Sequence, residues 1–158
     1  MLRPTIKTGL VILCILMLSG CTAGARGFVS FDDGQYQLEI FPRCTTTVIK
    51  QVIVEYITED ENTTTGNETV WAATVDNPQG VKSVPLFTPS TGVHVESALP
   101  DIDFSRPMLL WWDEGDDFED HLIGTLGGLQ PGQVMIGSEG YEDRESAIGF
   151  LSRFISGC

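Results

Sequence analysis

From Phe28 to about Gly137 the apolar residues of this chain recur mostly at every second position. That period puts alternate side chains on opposite faces of extended strands, and it argues against a helical bundle. Turn residues punctuate the pattern. Asp32-Asp33-Gly34 separates Phe28–Phe31 from Gln35–Phe41 and reads as a tight hairpin. Asn77-Pro78-Gln79-Gly80 and Pro89-Ser90-Thr91-Gly92 read as further turns. Thr45–Thr58 is a long β-branched run. Val48, Val52, Val54 and Tyr56 share one of its faces and Ile49, Ile53 and Ile57 the other, so both faces look partly covered. In Thr69–Asp76 the alternation predicts Trp71, Ala73 and Val75 inward, with Ala72, Thr74 and Asp76 outward. Val81–Thr88 contains Pro85, which marks an edge strand or a bulge. Val93–Ala98, Met108–Trp112, His121–Leu126 and Gln133–Ile136 bring the total to some eight short strands. Glu59–Glu68 and Pro100–Pro107 read as loops.

Only the end of the chain has helical spacing. Ala147, Ile148, Leu151, Phe154 and Ile155 fall on one face. Glu142, Asp143 and Glu145 stand at the start and Arg153 near the end, which suits the helix dipole. Gly157 reads as the stop. The expectation is a mainly β (α+β) fold, an antiparallel β-sandwich with a C-terminal helix. A two-layer sheet packed on one helix is the alternative. The Cys44…Trp71 spacing and the Gly128-Leu129-Gln130-Pro131-Gly132 turn resemble immunoglobulin-like and fibronectin-like domains. That resemblance implies an immunoglobulin-like sandwich. Three features depart from it. The second cysteine is at the chain end, Met135 stands where a corner tyrosine belongs after Leu129-Gln130-Pro131, and the terminal helix is foreign to the fold.

The first twenty-one residues have the layout of an export signal. Arg3 and Lys7 give a positive start, Gly9–Leu18 is an apolar run, and Leu18-Ser19-Gly20-Cys21 follows. Ten apolar residues are too few to cross a hydrocarbon layer of roughly 30 Å. Leu-Ser-Gly-Cys resembles the lipobox of bacterial lipoproteins. The resemblance implies that residues 1–20 are removed as a signal peptide, that Cys21 carries the lipid, and that 21–27 form a short tether. Residues 28–158 would then be a single β-rich extracytoplasmic domain held at the cell membrane.

Removal of the signal leaves seven basic residues against 22 acidic ones, a net charge of −15. Such a chain repels phosphate backbones, which excludes nucleic acid as a partner. It is also repelled by an anionic lipid surface, so membrane contact would come from the acyl anchor. Beyond Cys14 and Cys21, two cysteines remain. In an exported chain Cys44 and Cys158 are expected to form a disulfide. Closing a loop of that length is worth roughly 4–5 kcal/mol in the chain-entropy account. It would also tie down a terminus that otherwise frays.

No catalytic motif stands out: there is no Gly-x-Ser-x-Gly, and paired carboxylates carry no weight among 22 acids. The densest candidate is Asp113–Asp120, with six carboxylates in eight residues. Asp113, Asp116, Asp117 and Asp120 could supply oxygen ligands for calcium. The run lacks the alternating layout of a known calcium loop. The other reading is a solvated turn. His121 follows directly and, with Asp116 or Asp120, could bind zinc. His94 is the other histidine. Trp111 and Trp112 are adjacent, so on a strand they point to opposite faces. The two-sided pattern of Val48–Ile57 favours burial of both tryptophans; if one is exposed, Trp112 and His121 beside the acidic run are the partner-binding surface.

The expected function is therefore a lipid-anchored, monomeric cell-envelope protein with a non-catalytic binding or structural role. Its partner would be an envelope protein or polysaccharide, with no cofactor. Calcium binding or sensing, a small envelope hydrolase, and an acidic inhibitor or immunity lipoprotein are the alternatives.

Overall fold

The computed structural model describes residues 26–42, 44, 46–57, 68–113, 119–136 and 141–151. Within them the period-two pattern becomes ten strands and one helix. The strands are β1 (Gly27–Asp32), β2 (Gln35–Ile40), β3 (Gln51–Tyr56), β4 (Glu68–Val75), β5 (Ser83–Pro85), β6 (Val93–Ala98), β7 (Met108–Asp113), β8 (Glu119–Gly124), β9 (Gln133–Met135) and β10 (Tyr141–Asp143). The helix is α1 (Arg144–Leu151). The strands form two antiparallel sheets, one ordered β10-β9-β1-β2-β5 and the other β6-β4-β3-β7-β8. Together they make the expected β-sandwich. Its strand order is not that of an immunoglobulin domain, whose first, second, fourth and fifth strands share a sheet. Here β3 and β4 both enter the second sheet, and β9 and β10 return to the first.

Local chemistry explains the pieces that were expected. Asp33 and Gly34 take φ of 52° and 80°, the left-handed pair of a two-residue hairpin, and Asp32 pairs with Gln35 across it. Pro85 lacks a ladder donor and lies on the edge strand β5. Gly80 closes its turn by donating to the Asn77 carbonyl at 2.8 Å.

The core lies between the sheets. Leu38, Ile40 and Val29 of the first sheet share it with Val52, Val54, Leu110, Trp112 and Leu122 of the second. Trp71 and Trp112 are the largest fully buried side chains. At one end, Tyr36, Phe87 and Phe104 stack mutually, with ring centroids 4.9–6.0 Å apart, and Trp71 lies 5.9 Å from Phe87. Phe87 holds φ at 62°, a strained value for a bulky residue that this packing fixes.

Two details of the alternation differ from expectation. Ile49 is fully buried like Val52, because it pairs with Val81 in a bridge ahead of β3 and so precedes the strand's own phase. Val70, Trp71, Ala72 and Ala73 are all buried. The β3–β4 register shifts at Val54/Glu55 and the β4–β6 register at Ala72/Ala73, and such bulges break strict alternation.

The first sheet is also covered from outside. Arg144 opens α1 with its guanidinium 5.8 Å from the Phe28 ring. It donates to both Glu39 carboxylate oxygens at 2.9 and 2.8 Å and to Asp32 Oδ2 at 2.9 Å. The buried Ser30 hydroxyl donates to the same Glu39 at 2.6 Å. Ala147 is fully buried, as the helical pattern required. Phe154, Ile155 and Gly157 lie outside the described residues. Among the described residues no helix is long and apolar enough to cross a membrane.

Candidate functional site

The β3, β7 and β8 ladder decides which side chains face outward. Val52 pairs with Trp112 and Val54 with Leu110, and all four are buried. The alternate positions therefore look away from the core: Ile53 beside Trp111, Trp111 beside His121, and Leu109 beside Ile123. This corrects the assignment of the tryptophans. Trp112 is fully buried, and it is Trp111 that shares the outer face with His121. Met108–Trp112 is apolar at every position, so the segment has no polar residue to fix its phase. The partner strand β3 fixes it instead. Burial costs Trp112 a hydrogen bond, since among the described residues its Nε1 meets no acceptor.

Leu109, Trp111, His121 and Ile123 line an open hollow of about 340 Å³ on this face. Cross-strand neighbours of this kind stand roughly 4.5–5.5 Å apart at Cβ, so the four form one surface. Ile123 is 39% exposed, the most open large apolar residue described. His121 is exposed at the rim. His94 is on β6, at the opposite edge of the same sheet, and does not join it.

The acidic run falls at the β7–β8 hairpin, where Asp113 pairs with Glu119 and Trp112 with Asp120. Asp116 and Asp117 lie outside the described residues. The metal site expected from Asp113, Asp116, Asp117 and Asp120 therefore has no described geometry. Among the described residues no three His, Cys, Asp or Glu side chains are placed to hold a metal ion. Cys21 and Cys158 also lie outside the described residues. Cys44 is buried and accepts a 2.7 Å hydrogen bond from Lys82 Nζ at its carbonyl. The same ammonium donates to the Thr47 carbonyl.

One further polar centre has no signature in the residue pattern. Tyr141 on β10 stands opposite Met135. Its hydroxyl donates to the Thr125 carbonyl at 2.8 Å and accepts from Gly128 N–H at 3.1 Å. The tyrosine absent at position 135 thus has a counterpart on the paired strand. It fastens the turn joining β8 to β9 and does no visible chemistry.

No family model, curated protein or solved structure matches this chain.

Proposed function

We propose that this chain is a lipid-anchored, extracytoplasmic protein of the cell envelope, with a binding or structural role and no catalytic one. The observation that carries the reading is Leu18-Ser19-Gly20-Cys21 behind a basic start and a ten-residue apolar run. Two further features support it. The sandwich buries a single core, and Leu109, Trp111 and Ile123, which stay outside it, offer contact area. The excess of acids fits a domain that meets other proteins and keeps away from nucleic acid. We also pair Cys44 with Cys158, which would fasten the chain end to the strand edge near Lys82.

The test is processing in a bacterial host fed a labelled fatty acid. The wild-type chain should take up label and lose its first twenty residues. Cys21→Ala should do neither. Label or normal maturation in that variant overturns the reading. Non-reducing peptide mapping of the mature protein should recover Cys44 joined to Cys158, and free thiols at both positions would remove the staple.

A further inference from the structure

The two outer faces of the sandwich differ. Over the first sheet, the Arg144 guanidinium at the start of α1 lies over Phe28 and binds the Glu39 carboxylate that accepts from Ser30. Over the second, Ile53, Leu109, Trp111 and Ile123 lie in one phase of the ladder, and none of them belongs to the core or packs against it. Large aliphatic and aromatic side chains gathered on an outer sheet face, from central β3 to edge strand β8, are the composition of a contact surface.

Charge selects the occupant. Among the described residues, the five strands of the second sheet contain no lysine or arginine, while Glu55, Glu68, Glu96 and Asp113 lie on them. The nearest cations flank the strands. Lys50 precedes β3, and Arg106 precedes β7, where it stacks 3.7 Å from the Tyr56 ring centroid and reaches Glu68 at 3.9 Å. An apolar centre within an acidic sheet repels a second copy of a chain with net charge −13 and attracts a basic one.

We propose that the outer face of the second sheet, centred on Leu109, Trp111 and Ile123, docks a cationic protein segment. That segment presents aliphatic or aromatic side chains to the hollow, with lysine or arginine around them. The indole of Trp111 gives it both a flat apolar seat and a face that attracts cations. This deepens the binding role proposed above and rests on it.

The experiment uses the full chain in nonionic micelles. The probe is a synthetic peptide alternating lysine with leucine and tryptophan, beside versions carrying glutamine or glutamate in place of lysine. Binding is read by calorimetry against protein-free micelles. The lysine peptide should bind, and added salt should weaken it. The double variant Trp111→Ser/Ile123→Ser should bind it about tenfold more weakly or worse, the scale of a central contact residue. Both substitutions lie outside the core, and an unchanged melting curve verifies the fold. Equal binding by wild type and double variant would assign the attraction to the acidic chain at large and overturn the proposal. So would a glutamine peptide that binds as tightly as the lysine one. Sedimentation showing a wild-type dimer and a monomeric double variant would give the face to a second copy instead. Acylation at Cys21 is read separately, so the docking face can fail while the anchor stands.

Discussion

Gly27 lies directly against the indole of Trp112. A β-carbon on Gly27 would stand 3.1 Å from Trp112 Cζ2 and 2.9 Å from the Glu39 carbonyl oxygen. The first residue of β1 thus lets the two sheets close over one of the two largest rings in the core. Gly27→Ala should cost about 1–3 kcal/mol, the usual range for overpacking. Urea denaturation measures it, and wild-type stability in that variant would free Gly27 of this role.

Tyr141 and Gly128 make a coupled pair. The phenol holds the β8–β9 turn through Thr125 and Gly128, and a β-carbon on Gly128 would lie 2.7 Å from Tyr141 Cε2. Tyr141→Phe should lose about 1–2 kcal/mol, since Gly128 N–H can turn to water. Gly128→Ala should destabilise the native chain and do so less once Tyr141 is Ala. A double-mutant cycle reads that difference, and strict additivity would sink the idea.

The Arg144 fork joins Glu39 and Asp32 to the foot of α1. Its side chain is 35% exposed, so solvent screens the attraction. Arg144→Ala should therefore cost about 1 kcal/mol, with the loss shrinking as salt rises. Arg144→Lys should restore only part of it, because one ammonium nitrogen cannot fork between Asp32 and Glu39 as the two guanidinium nitrogens do. Thermal unfolding at low and high ionic strength tests both statements.

Asp143 caps α1 by accepting the Ser146 N–H at 3.0 Å. That backbone hydrogen bond, helped by the Ser146 hydroxyl, holds its carboxyl below the ordinary 3.8. A lowered folded pKa means the carboxylate stabilises the fold above the ordinary pKa, and that contribution fades as pH falls through the lowered value. Asp143→Ala should destabilise clearly at about pH 7 and much less at about pH 2. Asp103 is lowered in the same direction by the Ser105 hydroxyl and backbone, but it is common to both proteins and cancels. A penalty that does not change with pH would show that the carboxylate charge plays no part.

Features set by neighbouring residues were legible in the chain. The Asp33-Gly34 hairpin, Pro85 at a sheet edge and buried Ala147 each follow from a residue's own stereochemistry or period. Features set across the sheets were not. Trp111 and Trp112 sit in a wholly apolar run, and only pairing with Val52 decides which is buried. The bulges at Val54/Glu55 and Ala72/Ala73 left no mark on the apolar pattern. Tyr141 reaches Thr125 from another strand, a contact that spacing along the chain does not encode. The strand order departs from the immunoglobulin pattern for the same reason, because long-range pairing selects it.

The back-to-back tryptophans make the molecule its own optical probe. Trp112, like Trp71, emits from a dry interior and is shielded from dissolved quenchers, while Trp111 is only half-buried on the outer face. Acrylamide should therefore quench one indole and spare two. Unfolding will red-shift the shielded pair, whereas an occupant of the outer face will protect Trp111 and leave the other two unchanged. A single fluorescence titration can then separate loss of the fold from occupation of its surface.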